Sequence, residues 1–154
     1  MNAIGLNEQG SKDLAAKLNI LLANYHLFYI NVRGYHWNIK GEKFFELHVK
    51  FEELYNTIVL KIDEIAERIK TLGETPLHTY TDYLQQSAIT ERKNVSSGND
   101  AVQDILDALK QLLLLQRDIL NISAEANDEG TNALMSDYIR EQEKMIWMYN
   151  AYLS

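Results

Sequence analysis

Two pairs of side chains able to hold a metal cation stand at the same spacing in this sequence: His48 with Glu52, and Asp63 with Glu67. Residues four apart on a helix project from the same side, so each pair could grip one cation. In a helix rich in charge, a single such pair is most often just solvated. What sets these four apart is a common face. At 100° per residue, with Phe44 as zero, the apolar positions from Phe44 to Leu72 centre at about 320°, whereas His48, Glu52, Asp63 and Glu67 fall at about 40°, 80°, 100° and 140°. That second face also carries Val59 and Leu60, which a purely solvated face does not favour, and a partner surface is the simplest reason for them.

Distance decides how a site could be built. Glu52 and Asp63 are eleven residues apart, or roughly 16 Å along a helix axis, so they cannot share one metal within one chain. If two copies pack this face antiparallel about a two-fold axis, the His48 and Glu52 end of one meets the Asp63 and Glu67 end of the other, and two identical sites result. Imidazole and carboxylate without sulfur suit Fe(II), with Zn(II), Mn(II) or Co(II) as competitors. The absence of cysteine excludes disulfides, thiolate catalysis and cysteine-held zinc or iron–sulfur centres. No histidine has a glutamate three residues before it, so the Glu-x-x-His pattern of a di-iron site inside a helix bundle is missing.

The elements that must position these residues read as helices throughout. There is one proline, Pro76, and apolar residues recur at three- and four-residue spacing. Leu14, Leu18, Leu21, Tyr25, Phe28 and Val32 form a first stripe, with Ser11 as N-cap and an end near Gly34. A second runs from Phe44 to Leu72 and stops at Gly73 and Pro76. A polar connection follows to Asp100, with a short helix expected in TYTDYLQQS; its length suits a bundle whose second and third long helices run parallel. The third long helix is expected over 99–126. A turn at NDEG leads to the fourth, with Met135, Tyr138, Ile139, Met145, Ile146, Tyr149 and Tyr152 as its stripe and Trp147 and Met148 also read as packing.

With 154 residues and 46% hydrophobic content, the chain can bury one sizeable core. It has no apolar run of membrane-spanning length and no secretory-signal pattern at its start, so a soluble, cytoplasmic protein is expected. The net charge of −7 argues against nucleic acid, because DNA affinity comes from clustered Lys and Arg. Here Arg92 and Lys93 are the one adjacent basic pair, Lys12 stands alone in the first sixteen residues, and no lysine follows Lys144.

Two segments, HWNIKGEKFFELHVKFE (His36 to Glu52) and IDEIAERIKTLGETP (Ile62 to Pro76), strongly resemble the signature segments of the Dps family of miniferritins. The resemblance implies a single ferritin-like domain over 1–154: an all-α four-helix bundle with a short extra helix in the long connection between helices 2 and 3. It implies ferroxidase centres between two-fold related subunits, with His36, His48 and Glu52 from one and Asp63 and Glu67 from the other. It also implies a dodecameric shell that stores ferric mineral, hydrogen peroxide as oxidant, and protection against oxidative damage, with DNA shielding as the family's other role. The position of Glu52 is more often Asp in the family, so metal spacing or occupancy by a second iron could differ in this chain. Trp37 resembles the family tryptophan beside the centre, thought to relay electrons or absorb radicals; interface packing is the alternative. His26 reads as a packed histidine and His78 as an exposed one. Glu125, Asp128, Glu129 and Asp137 are candidates for the three-fold pores by which iron enters in relatives, or a solvated turn.

Overall fold

The computed structural model describes all 154 residues as five helices and no strands. Four are long: α1 (Glu8–Asn38), α2 (Phe44–Thr71), α4 (Gly98–Glu125) and α5 (Glu129–Leu153); α3 (Tyr80–Gln86) is the short helix inside the connection. Their apolar stripes meet in one cluster that includes Leu14, Phe28, Phe51, Ile65, Leu112 and Met135. No helix is long and apolar enough to cross a membrane.

Contacts at both ends fix the directions of α2 and α4. Lys40, just before α2, donates its N–H to the Ser96 carbonyl at 2.9 Å, just before α4. At the far ends Arg68 of α2 pairs with Asp128, beyond α4, at 2.7 Å. The two helices therefore run parallel, and the chain between them must return along the bundle. Three asparagines of α1 pin that return. Asn19 accepts the Leu77 N–H and donates to the Thr75 carbonyl, Asn24 accepts the N–H groups of Ala88 and Ile89, and Asn31 accepts the Arg92 N–H and donates to the Thr90 carbonyl. Side-chain amides substitute here for the backbone partners an irregular segment lacks.

Two boundaries of α1 differ from the sequence reading. Asn7, not Ser11, is the N-cap and accepts the Gly10 N–H; Ser11 is buried and accepts from Asn2. The helix also runs through Gly34 to Asn38. A mid-helix glycine costs about 1 kcal/mol, which burial of Tyr35 and His36 just beyond it offsets. In α5 Tyr149 is buried, but Trp147 and Met148 stand exposed, so the packing role expected for them is absent within the chain.

Candidate metal centre

The site is seeded where α1 turns back into α2. Gly41, at φ +113°, takes a conformation side chains disfavour and lets the chain reverse. The last turn of α1 thereby lies against the first turns of α2. His36 and His48 stack face to face, with ring centroids 3.8 Å apart and planes at 10°. Each ring hydrogen-bonds the other residue's backbone: His36 Nδ1 lies 2.6 Å from the His48 carbonyl oxygen, and His48 Nδ1 lies 2.8 Å from that of His36. A carbonyl only accepts, so both Nδ1 atoms carry the hydrogen, and in each neutral ring Nε2 keeps the lone pair. Neither Nε2 is engaged in a hydrogen bond. An imidazole held through Nδ1 with Nε2 free is oriented as a metal ligand.

Aromatic rings hold this pair in place. Phe44 stacks on His48 at 4.9 Å, and Tyr55 meets the edge of His36 at 5.4 Å. The Tyr55 hydroxyl lies 3.5 Å from Glu52 Oε1. Its pKa is raised by partial desolvation and by the Glu52 charge, with Arg33 acting in the opposite sense. The Arg33 guanidinium sits over three rings, 4.6 Å from that of Trp37, 5.6 Å from Tyr29 and 5.9 Å from Tyr55.

Of the residues singled out from the sequence, the fold brings His36 and His48 together and places Glu52 one turn beyond His48 on the exposed side of α2. Asp63 and Glu67 are exposed farther along the same helix, and their carboxylates form neither a hydrogen bond nor an ion pair within the chain. No three histidine or carboxylate side chains of one chain converge closely enough to hold a metal. Val59 and Leu60, 41% and 65% exposed, lie between the two ends. Antiparallel pairing of His48 with Glu67, and of Glu52 with Asp63, puts a two-fold axis near residues 57 and 58, beside those two apolar side chains.

The bundle interior has no comparable centre. Tyr25 donates to Gln116 at 2.6 Å, Gln116 donates to Gln142 at 2.8 Å, and Gln142 donates back to Tyr25, closing a buried ring of neutral groups. Burial pushes the Tyr25 hydroxyl far above its usual pKa, keeping the ring uncharged. This agrees with the missing Glu-x-x-His pattern.

The remaining candidates divide. Trp37 is 58% exposed and packs on Arg33, so within one chain it is not an interior residue. His26 stacks on Tyr83 at 3.9 Å, with its pKa lowered by burial, and His78 is exposed. Glu125, Glu129 and Asp137 are exposed. Asp128 is not available to a pore: it is 2% exposed, caps α5 through the Thr131 N–H, and pairs with Arg68. Sequence reading missed the reciprocal histidine bonds, which join residues twelve apart on different helices, and Arg33, whose spacing three before His36 was the one available signal.

The ferritin-like domain family matches residues 15–154. A protein from Haemophilus influenzae is 55% identical, with 97% of this chain and 93% of that protein covered. The DNA protection during starvation protein of Porphyromonas gingivalis is 36% identical, with 99% and 96% covered. The crystal structure of a Dps protein from Vibrio cholerae, described as a member of a superfamily of ferritin-like diiron-carboxylate proteins, superposes with a TM-score of 0.99 at 55% identity, covering 100% of this chain and 97% of that one. Fold, paired motifs and these likenesses agree, and the chain belongs to the Dps family of ferritin-like proteins.

Proposed function

We propose that this protein oxidises Fe(II) at centres completed between two copies of the chain and stores the ferric product inside a dodecameric shell. The observation that carries this reading is the His36–His48 clasp, which fixes two imidazoles with Nε2 uncommitted at one end of an exposed face whose other end bears two unpaired carboxylates. Glu52 joins the histidines, and Asp63 and Glu67 come from the partner subunit. Zn(II) and Mn(II) compete for the same donors.

The donors do three things. Neutral imidazoles and carboxylates bind Fe(II). The negative charge of Glu52, Asp63 and Glu67 favours the ferric over the ferrous state, lowering the reduction potential. Their fixed positions present the iron to hydrogen peroxide, the preferred oxidant. Each peroxide takes one electron from each of two Fe(II) and two protons, giving two waters, so hydroxyl radical is not released. Trp37, exposed beside His36, relays or absorbs a stray electron. The acidic balance of the chain, multiplied over a shell, concentrates Fe(II) and supports mineral growth. Such a protein protects the cytoplasm against oxidative damage.

DNA binding is the less favoured role. The net charge is −7, and residues 2 to 6 are folded onto the bundle, with Asn2 bonded to Ser11 and Leu72, rather than free as a basic arm. Anaerobic Fe(II) titration followed by peroxide tests the main reading. Wild-type protein is expected to bind Fe(II) and oxidise it on peroxide addition, and the double variant His36→Gly, His48→Gly is expected to do neither. Absence of Fe(II) binding in the wild type would leave only a helical oligomer with an acidic face.

A further inference from the structure

Among the three carboxylates of the proposed centre, only Glu52 has a side-chain partner within its own chain: the Tyr55 hydroxyl, 3.5 Å from Oε1. A phenol keeps its proton at neutral pH and a carboxylate only accepts, so Tyr55 donates. Other glutamates of α2 are approached by cations, Glu46 by Lys43 at 4.0 Å and Glu53 by Lys50 at 3.3 Å, whereas no lysine or arginine pairs with Glu52. A cation beside Glu52 would cancel its charge and compete with a metal ion. A neutral hydroxyl steadies the carboxylate and leaves its charge intact.

The same tyrosine also touches an imidazole of the centre. Its half-buried ring meets the edge of His36 at 5.4 Å and 76°, and that of Tyr29 at 5.9 Å and 87°. Tyr55 is thus held by packing, while Glu52 is exposed and turns about three bonds of its own. We infer that Tyr55 is a positioning residue of the proposed centre: its hydroxyl tethers Glu52 and its ring abuts His36, so one packed side chain sets a carboxylate donor against an imidazole donor before metal arrives. The inference rests on the reading of Glu52 and His36 as ligands and refines it.

A carboxylate that ligates a metal is ordinarily held by a further hydrogen bond, which removes the entropy cost of fixing it when the ion binds. One such bond between side chains changes an equilibrium by about three- to tenfold. The length of Glu52 matters to it. Shortening the side chain by one carbon–carbon bond retracts the carboxylate by up to about 1.5 Å, and at 3.5 Å the contact has no slack to lose.

A double-substitution cycle tests this, with anaerobic Co(II) titration of the assembled protein followed by visible absorption. Tyr55→Phe keeps the ring on His36 and removes only the hydroxyl. It is expected to weaken Co(II) binding about three- to tenfold and to change the Co(II) absorption bands, with the melting temperature of the metal-free protein unchanged. In a Glu52→Asp background, where the tether is already lost, Tyr55→Phe is expected to alter affinity by less than about twofold. Wild-type affinity in Tyr55→Phe overturns the inference, as does an equal loss in both backgrounds. Failure of Tyr55→Phe to assemble also overturns it, because a hydroxyl that only steadies a donor is dispensable to the fold. Failure of the ferroxidase reading looks different: no tight Co(II) in the wild type, or binding indifferent to His48→Gly.

Discussion

The two ends of the proposed ligand face of α2 are built differently. At the His48 end the donors are organised inside one chain: two rings stack, each is bonded to the other's backbone, and Phe44 and Tyr55 pack around them. At the Asp63 and Glu67 end the carboxylates stand in solvent without partners, and only the backbone beneath them is stiffened, by Arg68 pairing with Asp128 and bonding Thr131. One end is preorganised within the chain, and on the proposed reading the other is completed by a second copy. Burying the Asp63 end without a cation would place two acids in a desolvated interface, so its exposure in the free chain is the inexpensive state.

This contrast can be broken most strongly at the histidines. His48→Gly removes a proposed ligand and its ring's hydrogen bond to the His36 carbonyl, one of the two that tie α1 to α2, and adds a helix glycine. Metal affinity is expected to fall by about 100-fold or more, and unfolding stability by about 2 kcal/mol, seen in denaturant melts. Asp63→Asn is expected to cost a comparable loss of iron oxidation with no change in stability, because its carboxylate has no partner within the chain. If both variants lose stability equally, the asymmetry is wrong.

How much of this was legible in the sequence follows the range of the interactions. The i and i+4 pairs, the apolar stripes and the long connection are local or periodic, and they placed α2, α3 and α4 within one residue or so of their ends. The histidine clasp was not legible, because a ring bonded to a carbonyl twelve positions away leaves no periodic trace. Ser11 and Asp128 misled for a related reason. Each is a polar residue near a helix end, where capping and solvent are the usual roles. Ser11 instead tethers Asn2, and Asp128, besides capping α5, neutralises Arg68 from across the bundle. Gly34 reads as a stop, yet the helix continues past it to deliver Tyr35 and His36 to the core.

A substitution at the proposed two-fold axis sharpens the comparison without touching a donor. Leu60→Glu puts like charges opposite each other where antiparallel helices pair. Sedimentation is expected to show smaller species, and iron oxidation is expected to fall about tenfold or more although every ligand remains. The smallest effect on chemistry is expected at Asp128→Ala. Loss of the α5 cap and of the partner of Arg68 should lower stability by about 3 kcal/mol, while the iron oxidised per assembled protein stays within about twofold of wild type.

Mixing two inactive variants tests the shared centre most directly. Unfold His48→Gly and Asp63→Asn chains together at equal concentration and let them reassemble. Half the pairs are then mixed, and each mixed pair has one centre with both substitutions and one with neither. Iron oxidation is expected to return to about a quarter of the wild-type level, from two variants that are each inactive when reassembled alone. No recovery, from mixed assemblies shown by mass spectrometry to contain both chains, would contradict a centre built from two copies.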